Sequence, residues 1–226
     1  TYTDAVRRFL SSDEDAASLP AFDPYGAINI AQFLISSARE ISGWSTMTGM
    51  LSLERFGALR SSLVALRPFI CPSDHKAQTK YATSCPATWE TAMMELQMWS
   101  PSHTGGIVEG SIDAVLSQST FLGPSQFLCD TNTAKTMQPH VNWFLRYLEE
   151  TRTLESEAPW VTLYAYKAFL IAWQLINAGL PGAMDTVGIS DGDIEGALIW
   201  ARKVFQRRQK WQIGKLILSC LDELGK

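Results

Sequence analysis

Gly188-Ile189-Ser190-Asp191-Gly192 fits GxSxG, the pattern that lifts a nucleophilic serine out of a strand-to-helix turn. The chemistry needs a strand before the serine and a base to take its proton. In folds carrying this pattern the base is a histidine later in the chain. His75, His103 and His140 all precede Ser190, and no strand pattern leads into it, so a helix cap at Ser190 is expected instead. Asp191, Asp193, Glu195 and Gly196 copy the opening of a calcium-binding loop, but its twelfth position is Arg202, where a bidentate Glu is required. Cys71, His75 and Cys85 offer three zinc donors without the second pair that a structural site uses, and nothing in the spacing recruits His103 or Cys129. The adjacent acids, Asp13-Glu14-Asp15 and Glu149-Glu150, do not form the clustered aspartates with which helical cyclases hold a metal-bound diphosphate. Glu-x-x-His pairs of the di-iron kind are missing too. No metal or cofactor is expected, and the chain is not expected to be an enzyme.

Charge is distributed unevenly. Arg202, Lys203, Arg207, Arg208, Lys210 and Lys215 place six of the 19 basic residues within 14 positions, interleaved with Trp200 and Trp211. Such a stretch could track a nucleic acid, yet its first four cations also suit a helix C-terminus, and the chain as a whole carries −4. From Tyr81 to Ala134 there is no Lys or Arg, while Glu90, Glu95, Glu109, Asp113 and Asp130 fall in that span. An acidic, solvated face is expected there.

The elements that must position these residues read in a helical period. Ala27, Ile30, Ala31, Leu34, Ala38 and Ile41 form one stripe, expected to end at Gly43. Leu53, Phe56, Leu59, Leu63 and Leu66 form another, expected to stop at Pro68. Trp89, Ala92, Met93, Leu96 and Trp99 make a third, and a short helix is expected around 112–116, with residues 119–133 irregular. Val141, Phe144, Leu145, Leu148 and Leu154 mark a longer helix, with Glu149, Glu150 and Arg152 facing outward. Residues 160–177 are apolar at fourteen of eighteen positions, and Pro159 sits where a first-turn proline belongs. The four polar ones, Thr162, Lys167, Gln174 and Asn177, fall within an arc of about 140°. Ile194, Ala197, Leu198, Ala201, Val204 and Phe205 define the next face, with Ser190 and Asp193 as a capping box. Ile213, Leu216, Ile217, Cys220, Leu221 and Leu224 define the last.

This pattern specifies an all-α fold: an irregular multi-helix bundle around the apolar helix at 160–177, with residues 1–226 taken as one domain. A membrane span is the competing account of that helix, but its length is borderline and Lys167 lies in its middle. The residues from Thr1 show no basic-plus-apolar leader, so a secretory signal is not expected, and the chain is expected to be a piece of a longer, intracellular protein. Trp143, Trp160, Tyr164, Lys167, Phe169 and Trp173 gather along two neighbouring helices. Bulky rings beside an apolar helix fill a core or line a pocket for an apolar ligand, with Lys167 at the ligand's polar end.

The runs PWVTLYAYKAFLIAWQLINAG and DGDIEGALIWARKVFQRRQKWQIGKLILSCLDELG, joined by a Gly- and Pro-rich linker, resemble the C-terminal regulatory region of fungal Zn2Cys6 binuclear-cluster transcription factors. The matching positions are Ala197, Leu198, Trp211, Leu221 and Leu224. The resemblance implies a nuclear regulatory, effector-sensing domain that binds a small apolar or aromatic effector, contacts the transcription machinery or self-associates. The six-cysteine cluster of that family does not occur in these 226 residues, so DNA contact and zinc would belong to a domain outside them. The alternatives are an all-α lyase or cyclase acting on an apolar substrate, and a dimerisation scaffold.

Overall fold

Helical periodicity governs the whole of the computed structural model, which describes residues 24–70, 84–98, 131–151 and 157–225. Six α-helices follow in order: α1 (Pro24–Ile70), α2 (Ser84–Met98), α3 (Thr131–Glu150), α4 (Pro159–Asn177), α5 (Ile194–Gln206) and α6 (Gln212–Leu224), with one 3-10 turn at Asp185–Val187. Among the described residues there is no strand. They divide into two compact units, α1 and α2 in the first and α3 to α6 in the second. Where the sequence reads as one domain, the packing is thus twofold, and each unit has buried residues of its own.

In the first unit, α1 departs from the sequence expectation by running unbroken through Gly43 and past Pro68. A glycine inside a helix costs only about 1 kcal/mol, which a long helix absorbs. Proline removes one N–H and ends the helix only two residues later, at Ile70. Near that end Trp89 of α2 donates its indole N–H to the Leu63 carbonyl at 2.7 Å. The Arg67 guanidinium lies 5.7 Å from the Trp89 ring. Helix α2 is buried on nearly every side, including Glu90 and Glu95. This corrects the expected acidic surface at those two positions; Glu109, Asp113 and Asp130 lie outside the described residues, as do the stretch at 112–116, Cys71, His75, His103, Cys129, Arg152 and Leu154. Thr88 and Thr91 sit in this interior because each hydroxyl bonds back to the carbonyl four residues earlier.

The second unit is two helical pairs, α3 with α4 and α5 with α6. Each helix packs on its partner in the pair more extensively than on any single helix of the other pair. As expected, α4 opens with Pro159 and is enclosed, with thirteen of its residues buried. Thr162, Lys167 and Gln174 are among them, so even most of the polar stripe is covered. No helix among the described residues is long and apolar enough to cross a membrane. Helix α4 ends in a Schellman arrangement: Gly179 donates to the Ile176 carbonyl and Leu180 to that of Leu175, with Gly179 at φ +71°. Helix α5 is capped by Asp193, which accepts the Gly196 N–H at 2.8 Å, rather than by Ser190. An Asp in this position satisfies the orphan amides and adds charge at the positive end of the helix.

The close fit of α6 depends on a glycine. A Cβ on Gly214 would run into the backbone carbonyl of Arg208. Gly57, exposed on α1, has no neighbour around a built Cβ. By propensity alone, alanine would stabilise either helix by about 1 kcal/mol. Gly57→Ala is therefore expected to raise the urea midpoint or leave it unchanged. Gly214→Ala is expected to lower stability by about 1–3 kcal/mol, the usual cost of overpacking.

Candidate functional site

The basic segment is the place where sequence and structure differ most. Arg208, in the turn after α5, is fully buried at 0% exposure, against a Glu157 side chain at 2%. The pair is bidentate: Nε donates to Oε1 and Nη2 to Oε2, each at 3.0 Å. The third guanidinium nitrogen, Nη1, donates to the Val204 carbonyl at 3.1 Å. The carboxylate is completed by two hydroxyls, Tyr147 at 2.6 Å and Thr162 at 2.5 Å. The guanidinium also lies 5.7 Å from the Tyr147 ring. Four acceptor bonds on one buried carboxylate and a forked arginine make a satisfied cluster, which is the condition for keeping such charges out of water.

The rest of the segment is engaged as well. Arg207 Nη1 donates to the Leu148 and Glu149 carbonyls at 3.3 and 3.2 Å, covering the C-terminal end of α3. A cation does serve a helix terminus here, but that of a different helix. Arg202 pairs with Asp222 at 3.1 Å and reaches the Leu221 carbonyl. Lys203 stands 3.8 Å from Glu149, which accepts the Trp200 indole N–H at 2.7 Å. Glu149 faces outward as expected, its side chain 41% exposed, and is bonded as well. Of the six cations, only Lys210 and Lys215 stand exposed without a contact described above.

The six candidate pocket residues do not converge. Phe169 is fully buried among Trp200 and Phe205, with ring centroids at 6.3 and 6.4 Å. Tyr166 meets Phe205 edge-on at 5.6 Å, extending that aromatic core. Trp143 on α3 stacks flat on Tyr147, 5.5 Å away and 4° from parallel. Trp160 is 46% exposed at the start of α4. At 100° per residue, Trp160, Tyr164 and Lys167 share one face of α4, and Phe169 and Trp173 lie about 140° or more away from Trp160. Trp160, Tyr164 and Lys167 thus share one side of α4, on which Trp160 is exposed, Tyr164 half-buried and Lys167 buried; Phe169 belongs to the core.

The residues that imitate catalytic motifs hold loops. Asp191 accepts the Gly182 N–H at 2.7 Å, Asp193 caps α5, and Gln138 of α3 donates to the Gly182 carbonyl at 2.5 Å. Ser190 is exposed in a turn that no strand precedes. Among the described residues, no three His, Cys, Asp or Glu side chains group to hold a metal ion. The chain matches no family model, no curated protein and no solved structure.

Burial raises the Tyr147 phenol well above its ordinary value of about 10, and its bond to Glu157 and that carboxylate's charge add to the rise, against a smaller lowering by Arg208. The fold thus favours the neutral phenol. Its contribution is complete below about pH 10 and is lost as pH climbs from there through the raised value. The wild type is expected to lose its stability advantage over Tyr147→Phe progressively above about pH 10, read from urea midpoints of both proteins. Arg208→Ala leaves a buried carboxylate without its cation and is expected to cost about 3–5 kcal/mol in the same assay. Retention of wild-type stability in that variant would refute the role given to the pair.

Proposed function

We propose that this chain is a helical regulatory module of the kind found in fungal Zn2Cys6 transcription factors, acting in the nucleus by sensing a small apolar or aromatic effector. The resemblance over residues 159–179 and 191–225 supports this reading. The positions that carry it are structural ones: Ala197, Leu198 and Leu221 are buried, and Trp211 is the N-cap of α6. The observation that carries the proposal is that most residues of the motifs suggestive of other chemistry in the second unit are taken up by the fold, with Ser190, Lys210 and Lys215 left exposed. Asp191 and Asp193 hold backbone amides, and Arg202, Lys203, Arg207 and Arg208 are paired internally. What remains is a helical scaffold with aromatic side chains, which suits binding and conformational response better than catalysis or contact with nucleic acid.

The effector site is assigned to the α4 face carrying Trp160, Tyr164 and Lys167; Lys167 is buried there, so an otherwise apolar compound meets Trp160 first and brings its polar end to the lysine only as that face opens. Binding there acts by population shift, favouring whichever helix arrangement offers the better face. This module contacts the transcription machinery, while DNA contact would belong to a domain outside residues 1–226. Self-association is a second reading, favoured by Ile199 and Leu216, which stand 57% and 41% exposed; it requires a dimer in light scattering.

The test is thermal shift and native mass spectrometry against lipidic and aromatic compounds with one polar end. At least one is expected to bind and raise the melting temperature. Trp160→Ala, at an exposed position, is expected to leave the unliganded melting temperature nearly unchanged and to abolish the shift. Failure of every compound to bind a folded sample, or a shift that survives Trp160→Ala, would overturn the assignment.

A further inference from the structure

We infer that the Glu157–Arg208 cluster is a latch between two helical pairs, and that α5 and α6 can leave α3 and α4 as a unit when it opens. Both charges lie outside helices. Glu157 precedes α4 in the connection from α3, and Arg208 lies in the turn joining α5 to α6. The buried ion pair therefore ties the connection within one pair to the connection within the other. Its hydroxyl donors, Tyr147 and Thr162, both belong to the α3–α4 side. The carboxylate stays bound to that side if the arginine departs.

The arginine side is equally coherent. The Arg208 side chain bonds the Val204 carbonyl of α5, its own carbonyl accepts the Trp211 N–H, and that same carbonyl is the surface on which Gly214 of α6 rests. Arg202 of α5 is bonded to Asp222 and Leu221 of α6. Moving Arg208 thus carries both helices along. No single helix-to-helix contact across the seam is as extensive as the one within either pair. Beyond the latch it is held by the Tyr166, Phe169, Trp200 and Phe205 rings and by Arg207, Trp200 and Lys203 reaching α3. Sub-global openings tend to follow supersecondary units such as these two helical pairs. This inference stands without the effector reading, since the latch needs no ligand.

Hydrogen exchange of the whole chain, read by mass spectrometry on peptides from each helix, tests it. Glu157→Gln weakens the carboxylate's charge-assisted bonds while keeping its shape. Exchange in 194–225 is expected to accelerate at least tenfold, with 134–150 and 159–177 changing less than twofold. Arg208→Lys keeps the charge but loses the fork, and is expected to give a smaller acceleration confined to the same segment. Should Glu157→Gln fail to fold, Arg208→Lys decides. Equal acceleration in all four helices, or none in 194–225, would overturn the inference.

Discussion

A carboxylate and a guanidinium taken wholly out of water set the terms for the second unit. Burying an ion costs several kcal/mol even after relaxation, and only complete hydrogen bonding offsets it. Glu157 meets that condition with two arginine N–H groups and two hydroxyls, drawn from α3, α4 and the turn after α5. None of the donors can move far without leaving the carboxylate short. The requirement is one of geometry as much as of energy: an apolar core tolerates sliding, whereas a forked ion pair tolerates little.

Other features of the unit are consistent with that demand. Gly214 brings α6 against the backbone at Arg208, while the Arg207 side chain covers the end of α3. Asp191, Gln138 and Gly182 pin the long connection between α4 and α5. Around the polar centre, Tyr166, Phe169, Trp200 and Phe205 supply apolar area and restrict one another through edge-on and tilted contacts. The aromatic richness of the sequence is thus largely spent on the core. Among the described residues of this unit, Trp160 on α4 is the one aromatic ring left exposed.

The apolar run of α4, its proline start and its glycine end were legible because each is a local signal, repeated over nineteen residues. The buried face of α5 was legible for the same reason. The boundary at Gly43 was misread because glycine is a weak breaker when its neighbours are helical, and the cap at Ser190 because two capping residues lie three apart. Nothing local separates Arg208 from Arg207 or Lys210: all three look like surface cations. Their fates differ through Glu157, 51 residues earlier, and no periodicity encodes that distance. Glu90 and Glu95 were read as surface for a similar reason, since the charge of an isolated Glu says nothing about what surrounds its helix. The candidate pocket was legible as a composition and not as a place, because rings close in sequence point to different sides of α4.

The separations within the cluster imply a sequence of assembly. Thr162 and Tyr147 lie 5 and 10 residues from Glu157, against 51 for Arg208. Closing a short loop costs less chain entropy than closing a long one, so the carboxylate gathers its hydroxyls while the arginine is still far away. As the chain is synthesised, a hydroxyl-lined anion precedes its counter-ion, waiting on α5 and α6 to emerge. The final docking step then joins opposite charges, and its rate should fall with ionic strength while the earlier steps stay indifferent to salt.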